Sequence, residues 1–419
     1  MSKRILFATY GSLGDLHPYI ALALALKQRG HQPLIASFGI HRAAVEAEGI
    51  AFAALRPDIE QFGGVADVVR RLFTRHSGAA YMVKEIFMPH IRASYDDLDR
   101  AAANSDLIVT HPLSFAGPLI AQKRGLPWVS SILSPMSLMS CIDPPLIGPA
   151  PWLKSLRKLG VTPYRMAFNL VRFGAMRWEQ PLHALRAEFN LPPASPAQFE
   201  GQFSPLLNLA LFSPLLATPQ ADWPVSTVLC GFPHYDGKAA DPAALNRLRE
   251  FLAAGTPPLV FGLGSSAVMI AGDFWHHAIT AAQALGRRAI LLTGATPSLP
   301  ENLPRTIAAF DYLPYSAVFP QACAVIHQAG IGTFAQALAA GHPQLIVPVA
   351  FDQPDNAERA LKLGVARALP FRNVTPARLT SEIEALLIDK RYAGNAAEVA
   401  AKICQEDAVL MVCERLEAL

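Results

Sequence analysis

Short apolar runs alternate with helical stretches along this chain of 419 residues, and this alternation limits the fold more than any other feature. Runs of strand length, such as Arg4 to Thr9, are followed by longer stretches with helical periodicity, and the alternation restarts after Gly255. Strands that alternate with helices are typical of a parallel sheet covered by helices. We therefore predict an α/β protein made of two similar halves. The predicted strands are 4–9, 33–37, 106–110, 127–132, 206–212, one more before residue 230, 259–263, 288–293, 306–310, 324–327 and 344–348.

The seam between the halves lies in a turn-rich, polar segment, Gly231-Phe-Pro-His-Tyr-Asp-Gly237. Asp241-Pro242 then fits a helix start, because Pro is favoured at the first helical position. We predict a first domain at 1–232, a linker at 233–242, a second domain at 243–395, and a C-terminal helix at 396–419 that packs back towards the first domain.

The charge balance excludes one class of function. The chain has 36 Lys and Arg against 33 Asp and Glu, and it lacks the basic runs that would bind nucleic-acid phosphates. Five scattered cysteines give neither a disulfide framework nor a zinc site, so we expect a cytoplasmic protein. Gly11, Gly14 and Asp15 interrupt the N-terminal apolar run, which favours a buried strand over a signal peptide. Prolines break the uncharged segment 201–221, so we predict no stable membrane insertion.

One segment of the chain has no acidic or basic residue at all. Only 16% of the chain is Asp, Glu, Lys or Arg, against ~25% in an average soluble protein. From Tyr312 to Phe351 there is none in forty consecutive positions. Buried central strands would account for much of this segment. A phosphate bound there would be held by helix dipoles and backbone N–H groups.

Ligands of open parallel sheets bind at the carboxyl ends of strands, and three loops there carry candidate residues. The first loop, Gly11 to Pro18, contains Asp15 and His17. A nicotinamide dinucleotide would need an acidic residue at the end of the second strand, where Ser37-Phe38-Gly39 has none. The plain structural alternative is that Asp15 is the N-cap of the following helix.

The second and third loops predict an anion site. The loop Gly262 to Ser266 offers backbone N–H groups and two hydroxyls, although such loops are often only tight turns. The loop His327 to Thr333 joins a strand to a helix whose N-terminus carries about half a positive charge. The candidate anion ligands are Ser265, Ser266, His327, Gly330, Gly332 and Thr333.

A polar cluster follows the next predicted strand. Asp352, Gln353 and Asn356 lie within Asp-Gln-Pro-Asp-Asn, and a carboxylate and two amides so placed can bind several sugar hydroxyls. The alternative is an Asx-turn that caps the next helix.

Three motifs with this spacing resemble those of the bacterial family 1 glycosyltransferases of the GT-B fold. They are Gly-Ser-x-Gly-Asp at 11–15, His-x-x-Gly-x-Gly-Thr at 327–333 and Asp-Gln-Pro-x-Asn at 352–356. The resemblance covers nearly the whole chain and is strongest to the rhamnosyltransferases of rhamnolipid synthesis and to antibiotic glycosyltransferases. It implies two Rossmann-like parallel-sheet domains facing across a cleft. It also implies inverting transfer of a sugar from a nucleoside diphosphate to an acceptor hydroxyl.

The resemblance implies roles for single residues. Asp15 falls at the position of the catalytic base, with His17 as the second choice, and a carboxylate needs a raised pKa for this task. Tyr312 falls where an aromatic ring stacks on the nucleotide base, unless it only packs at a strand end. The residues implied to bind the nucleotide sugar are Ser265, Ser266, Tyr312, Leu313, His327, Gly330, Gly332, Thr333, Asp352, Gln353 and Asn356, with His327 on the diphosphate.

Two departures from the family pattern bear on the donor. The chain has His327-Gln-Ala-Gly330 where His-His-Gly-Gly is common, and the small residue is kept. Ala335 stands where many relatives that use UDP-glucose carry a glutamate on the ribose hydroxyls. A deoxyribose has one fewer hydroxyl, so we favour a dTDP-sugar, above all a 6-deoxyhexose such as rhamnose, with UDP-glucose as the alternative. We expect no metal and no other cofactor.

The acceptor side is apolar. Adaptable side chains between residues 136 and 178 suit a lipid, polyketide, terpenoid or flavonoid hydroxyl, unless these helices simply pack on the core. Peripheral membrane contact stays open, although we identify no basic amphipathic helix that would support it. We expect a monomer or a homodimer. The predicted acceptor residues are Met136, Met139, Trp152, Phe168 and Phe173.

Three other functions are compatible with the pattern. Asp97-Leu-Asp99 imitates the Asp-x-Asp of metal-dependent transferases, but we predict that it lies on a solvated helix face. A nucleotide-sugar epimerase would share the two-domain fold and would need no apolar acceptor pocket. A catalytically inactive sugar-binding module would not need Asp15.

Overall fold

The computed structural model of the chain describes residues 2–73, 78–148, 150–237, 241–295, 299–300 and 302–419. The chain forms two compact units, Met1–Tyr235 with Glu406–Leu419, and Asp236–Gln405. The predicted linker, 233–242, contains the change from one unit to the other, and its residues 238–240 lie outside the described part of the chain.

The first unit contains a seven-stranded sheet in the order β3-β2-β1-β4-β5-β6-β7, and every strand pair is parallel. Its strands are β1 Arg4–Ala8, β2 Gln32–Phe38, β3 Ala51–Leu55, β4 Leu107–Thr110, β5 Trp128–Ile132, β6 Leu207–Ala210 and β7 Thr227–Leu229. Its helices before residue 236 are α1 Leu13–Gln28, α2 Arg42–Ala47, α3 Val65–Leu72, α4 Gly78–Tyr81, α5 Ile91–Ala101, α6 Gly117–Arg124, α7 Pro151–Ser155, α8 Val161–Met176 and α9 Gln180–Glu188.

The second unit contains a six-stranded parallel sheet in the order β10-β9-β8-β11-β12-β13. Its strands are β8 Leu259–Gly262, β9 Ala289–Leu292, β10 Ile307–Phe310, β11 Ala324–His327, β12 Gln344–Ile346 and β13 Ala366–Ala368. Its helices are α10 Pro242–Ala253, α11 Gly264–Ala267, α12 Phe274–Ala284, α13 Tyr315–Val318, α14 Ile331–Ala340, α15 Gln353–Lys362, α16 Pro376–Ile388 and α17 Lys390–Ile403, and a last helix of the chain, α18 Ala408–Glu417, belongs to the first unit.

The predicted α/β class with two Rossmann-like parallel sheets is confirmed, and each predicted strand overlaps an observed one. The sequence pattern does not predict β3 and β13, which lie at the edges of their sheets. Both strands are rich in alanine, a residue with low strand propensity. They form strands because each pairs with a neighbouring strand at the edge of its sheet, which the local sequence does not indicate.

Burial accounts for the segment without charges. All residues of β11 and β12 are buried, and Phe334, Ala337 and Leu338 of α14 are buried beside them. Such strands, covered on both faces, are apolar runs in parallel sheets. The segment Tyr312–Phe351 therefore supplies much of the interior of the second unit.

The C-terminal region is two helices rather than the single helix predicted at 396–419. Helix α17 packs against α14 in the second unit, whereas α18 packs against α1 in the first. Asp407 separates them, since its side chain accepts a hydrogen bond from the backbone N–H of Leu410 and caps α18. Lys3 Nζ donates to the carbonyls of Leu416 and Glu417, which holds the end of α18 on the first unit.

Helix α8 is apolar on its outer side. Its buried residues are Tyr164, Phe168 and Ala175, while Met166 and Leu170 are exposed. Two arginines, Arg165 and Arg172, lie on the same helix. Among the helices of the described ranges, none combines the length and apolarity needed to span a bilayer.

A buried ion pair links Asp355 and Arg359 on α15. The distance from Arg359 Nε to Asp355 Oδ2 is 2.7 Å, and both side chains are almost fully buried. Removal of one member of such a pair leaves a buried charge without its partner.

We expect Asp355→Asn to lower the free energy of unfolding by about 3 kcal/mol, because Arg359 would keep its buried charge. Urea denaturation followed by circular dichroism measures this loss. The matched control is Glu358→Gln, which removes an exposed pair with Lys362 on the same helix and should cost less than about 1 kcal/mol. Equal, small losses in the two variants would contradict this account of α15.

Candidate active site

The loop between β1 and α1 depends on Gly11. Its φ is +112°, in the region that side chains disfavour, and an added Cβ would collide with the carboxylate of Asp15. His41 Nε2 also donates to the carbonyl of Gly11 over 3.0 Å, which fixes the loop from the side. Burial lowers the pKa of His41, so the ring is neutral there.

Asp15 is the third residue of α1 and is held by Ser12. Its Oδ2 accepts hydrogen bonds from Ser12 N at 2.7 Å and from Ser12 Oγ at 3.1 Å, and Ser12 Oγ accepts from the N–H of Gly14. This is a capping box in which Ser12 is the N-cap. The structural alternative that Asp15 is the N-cap is therefore wrong.

The other carboxylate oxygen of Asp15 faces His111. His111 Nε2 lies 3.4 Å from Asp15 Oδ1, and the imidazole is buried. His111 Nδ1 accepts the backbone N–H of Leu113 at 3.1 Å, which places the ring proton on Nε2, directed at the carboxylate. His111 thus donates to Asp15.

Sequence reasoning missed His111, although a signal existed. The residue follows the predicted strand 106–110 directly, and β4 lies beside β1 in the sheet, with Ala8 opposite Thr110. The carboxyl ends of two adjacent parallel strands bring their loops together.

The pKa of the Asp15 carboxyl is lowered from its ordinary value. Burial raises it, but the hydrogen bonds that the carboxylate accepts from His111 and Ser12 together outweigh burial. The pKa is thus lowered in this structure, and a raised pKa on closure of an apolar cleft stays a prediction. Asp15 is ionised at neutral pH.

His17, the second candidate base, is on the first turns of α1 and is partly exposed. Its ring packs edge-on against Tyr235, with 5.1 Å between ring centroids. Tyr235 in turn donates its hydroxyl to Glu48 Oε1 at 2.8 Å. The contact with Tyr235 gives His17 a packing role.

In the second unit, the loops after β8 and β11 lie side by side. The two strands are paired, with Gly262 opposite His327. Gly264 has a φ of +67°, and a Cβ there would collide with the amide nitrogen of Gln328. Ser265 and Ser266 follow Gly264 and are partly exposed.

The N-terminus of α14 is open to a ligand. Its N-cap, Gly330, has no side chain to bond to the first N–H groups, and both Gly330 and Gly332 are partly exposed. The helix dipole and these N–H groups favour an anion. The structure therefore brings Ser265 and Ser266, on the short helix α11, to the same edge of the sheet as Gly330 and Gly332 at the start of α14.

His327 is held inside the second unit. It is fully buried, its Nε2 donates to Gln344 Oε1 at 3.0 Å, and its Nδ1 accepts the N–H of Ala329 at 3.1 Å. Burial lowers its pKa to about 4, so the ring is neutral. With both nitrogens bonded inside the unit, His327 orients the loop, and its expected contact with a diphosphate stays a prediction.

Gln328, which sequence reasoning did not select, lies in the loop between β11 and α14. Its Nε2 donates to the nearly buried hydroxyl of Thr333 at 3.3 Å. Among the described residues its Oε1 has no hydrogen-bond partner. The signal in the sequence was the departure from His-His-Gly-Gly at this position.

Tyr312 and Leu313 differ in accessibility. Tyr312 is partly exposed and donates its hydroxyl to the carbonyl of Asp236, while burial raises its pKa to about 12. The side chain of Leu313 is buried in the core with Phe310 and Phe319. Of the two side chains only that of Tyr312 is accessible, while the side chain of Leu313 packs in the core, and the predicted roles of both residues in nucleotide binding stay predictions.

The polar cluster after β12 is largely internal. Asn356 is fully buried, and its Nδ2 donates to Asp352 Oδ2 at 2.8 Å and to the carbonyl of Ala329 at 2.9 Å. Gln353 is buried, and its Oε1 accepts the N–H groups of Val349 and Ala350. Asn356 and the Gln353 oxygen therefore hold the loops together.

Asp352 is the member of this cluster that stays partly exposed. It occupies the N-cap position of α15 without a capping hydrogen bond from its side chain, so the Asx-turn alternative is wrong. Asn356 fixes one carboxylate oxygen of Asp352.

The predicted acceptor residues do not come together as one lining. Met139 packs on an apolar cluster that contains the buried Phe168, and Met136 is partly buried after β5. Trp152 and Phe173 are exposed at the surface of the first unit.

Arginines bind the Asp97-Leu-Asp99 carboxylates. Arg56 Nε lies 2.7 Å from Asp97, which Arg100 also contacts, and Arg124 lies 2.6 Å from Asp99. Asp97 is buried, so its predicted place on a solvated face is wrong. Within the described ranges, no group of three or more His, Cys, Asp or Glu residues is arranged to hold a metal ion.

Comparison with known proteins agrees with this geometry. Residues 280–419 match the family described as erythromycin biosynthesis protein CIII-like, C-terminal domain. The chain is 29% identical over 430 residues to O-mycaminosyltylonolide 6-deoxyallosyltransferase of Streptomyces fradiae, covering 99% of this chain and 97% of that protein. It is 30% identical over 375 residues to glycosyltransferase GtfE of Amycolatopsis orientalis, covering 87% of this chain and 85% of that protein.

A solved structure shows the same fold. CalG4, the calicheamicin glycosyltransferase, superposes with a TM-score of 0.74 at 20% identity, covering 100% of this chain and 98% of that chain. The chain belongs to the family 1 glycosyltransferases of the GT-B fold, nucleotide-sugar-dependent enzymes similar to the antibiotic glycosyltransferases.

Proposed function

We propose that the protein transfers a hexose, with inversion and without a metal ion, from a nucleoside diphosphate to a hydroxyl of an apolar acceptor, and that Asp15 is the base. One observation carries the proposal. Asp15 is an ionised, partly exposed carboxylate at the carboxyl end of β1, fixed by Ser12 and His111.

The reaction requires one proton transfer. The acceptor oxygen forms a bond to the anomeric carbon while the bond from that carbon to the diphosphate oxygen breaks. The acceptor proton passes to Asp15, and the nucleoside diphosphate leaves with the electron pair. General-base catalysis of this kind contributes about 10²- to 10⁴-fold in rate.

A carboxylate with a lowered pKa is a weak base, and this limits when it acts. The acceptor hydroxyl becomes acidic as its oxygen bonds to the anomeric carbon, so Asp15 receives the proton late in the step. Ser12 and His111 fix the orientation of the carboxylate meanwhile. His111 is therefore a positioning residue for Asp15.

The donor diphosphate would be held by backbone groups. Gly330 and Gly332 open the N-terminus of α14, and Ser265 and Ser266 stand on α11 at the same edge of the sheet. No acidic or basic residue occurs from Tyr312 to Phe351, and His327 is neutral. Dipoles rather than cations then balance the charge of the phosphates. Asp352 would bind the sugar hydroxyls and Tyr312 the base.

The donor that the sequence favours is a dTDP-linked 6-deoxyhexose. Ala335 has no carboxylate for a second ribose hydroxyl. The relative from Streptomyces fradiae is described as a 6-deoxyallosyltransferase that acts on O-mycaminosyltylonolide. For this chain we propose a 6-deoxyhexose donor and a hydroxyl acceptor of comparable apolar character, with UDP-glucose as the alternative donor.

Replacement of Asp15 by Asn should lower the transfer rate by about 10²- to 10⁴-fold, because an amide cannot accept the proton. Binding of dTDP, measured by calorimetry, should persist, since the phosphate loops belong to the second unit. The control is His17→Ala, for which we expect less than about tenfold loss. Normal turnover in the Asp15 variant, or a larger loss in the His17 variant, would refute Asp15 as the base.

The pH dependence distinguishes the two candidate bases. Because the pKa of Asp15 is lowered, its basic form is present above that pKa and is lost only as the pH falls through it. We expect kcat/KM to stay flat down to about pH 5, whereas a histidine base would give a fall near ~6.5. His111→Ala removes a hydrogen-bond donor that lowers the pKa of Asp15, while the effect of burial remains. The fall of kcat/KM on the acid side of the pH profile should therefore move to higher pH in this variant. An unchanged acid limb in this variant would show that His111 does not position Asp15.

A panel of nucleotide sugars, each tested with and without EDTA, tests the donor and the metal. We expect dTDP-6-deoxyhexoses to raise the melting temperature more than UDP-glucose, since ligands stabilise a fold by mass action. Transfer rates should be unchanged by EDTA. Loss of activity in EDTA with recovery in manganese would contradict the metal-free mechanism, and a larger shift with UDP-glucose would contradict the donor.

A further inference from the structure

Helix α8 exposes a continuous apolar face. Met166, Leu170 and Phe173 follow one another at helical spacing, and their exposed fractions are 67%, 76% and 62%. At 100° per residue these three side chains point to the side opposite Tyr164, Phe168 and Ala175, which are buried. A surface helix ordinarily has polar residues on its outer side. The outer face of α8 is therefore unusual for a helix in contact with water.

Neighbouring elements extend this face. Helix α7 and the turn Leu156–Leu159 pack against α8, and both present large apolar residues. Trp152 on α7 and Leu159 on the turn are exposed, by 57% and 73%. We call residues 151–178 the α7–α8 surface. Contiguous apolar patches of this kind mark interaction sites.

The α7–α8 surface is also strongly basic. Residues 151–178 contain six basic residues and no Asp or Glu. An acidic residue from outside this stretch pairs with it, since Glu200 Oε2 lies 2.8 Å from Arg172 Nη2. Arg177 lies over the ring of Phe173, which places a cation beside the apolar face. The basic residues are Lys154, Arg157, Lys158, Arg165, Arg172 and Arg177.

We propose that the α7–α8 surface docks the protein on an anionic phospholipid bilayer. The apolar side chains would enter the boundary between headgroups and acyl chains, and the basic residues would lie among the phosphates. Charge complementarity selects this occupant. A second copy joined through the same face would oppose six basic residues with six more, and like charges disfavour such an interface.

This contact is separate from the proposed chemistry of Asp15. It would leave the protein on the membrane surface, where an apolar acceptor concentrates. None of the described helices is long and apolar enough to span the bilayer, so the contact is peripheral.

Sedimentation with vesicles tests the proposal. The full chain should bind vesicles of phosphatidylcholine that contain about one-third phosphatidylglycerol. Its affinity for vesicles of phosphatidylcholine alone should be at least ~tenfold lower. Binding should fall steeply between about 0.1 M and 1 M NaCl, because the Debye length shortens from ~10 Å to ~3 Å. The tryptophan emission of the chain should shift to shorter wavelength with the anionic vesicles, and Trp152→Phe should reduce that change.

Two variants identify the face. Met166→Ser with Leu170→Ser and Phe173→Ser should weaken vesicle binding by at least ~tenfold, because the apolar contact is lost. The double variant Lys158→Glu with Arg165→Glu should also weaken vesicle binding by at least ~tenfold, because it replaces two positive charges by negative ones. The matched control is Val225→Ser with Ile388→Ser, which removes side chains that are 74% and 71% exposed elsewhere and should bind as the wild type does. Circular dichroism establishes that each variant is folded.

Three results would overturn the proposal. The first is failure of the wild type to bind anionic vesicles, and the second is equal binding by the apolar triple variant. The third is a wild-type dimer in sedimentation velocity that the triple variant loses, without vesicle binding, which would assign the face to a second copy.

Discussion

Parallel pairing of β1 with β4 is the interaction on which the proposed catalytic centre depends. Because the strands run in the same direction, the loops that leave Ala8 and Thr110 begin at the same edge of the sheet. Asp15 and His111 meet there although they are far apart in the chain. The pairing of β8 with β11 does the same in the second unit, where Gly262 lies opposite His327. Strand register therefore sets the geometry of both sites, and local loop sequence refines it.

Burial determines how the second unit can bind a phosphate. A lysine or arginine beside β11 would lose its hydration inside a packed α/β layer. In the proposed function the chain would use the N-terminus of α14 instead, with its partial positive charge and N–H groups that no side chain caps. His327 serves this arrangement from inside, since its neutral ring bonds to Gln344 and to the N–H of Ala329. A charged histidine could not accept that second hydrogen bond.

Periodicity and motif spacing predicted the sheets, because buried parallel strands leave apolar runs and phosphate loops need glycine at fixed points. They did not predict β3, whose alanines carry little strand signal. They also did not reveal that His327 is buried or that Asp97 pairs with arginines, because burial and ion pairing depend on residues distant in sequence. His111 could have been selected because it follows a strand whose carboxyl end lies beside that of β1. It was not selected because a single histidine after a strand is not part of a recognisable motif.

In the proposed mechanism, a single set of hydrogen bonds to Asp15 would serve both stability and chemistry. Burial alone would raise its pKa and favour a stronger base, yet would also penalise the charged form in the folded state. Ser12 and His111 reverse that shift, so ionised Asp15 stabilises the fold above its unfolded pKa, and this stability is lost as the pH falls through the folded pKa. The same bonds make the carboxylate less basic. A base of this kind compensates by orientation, since a fixed carboxylate captures the acceptor proton when bond formation to the sugar releases it.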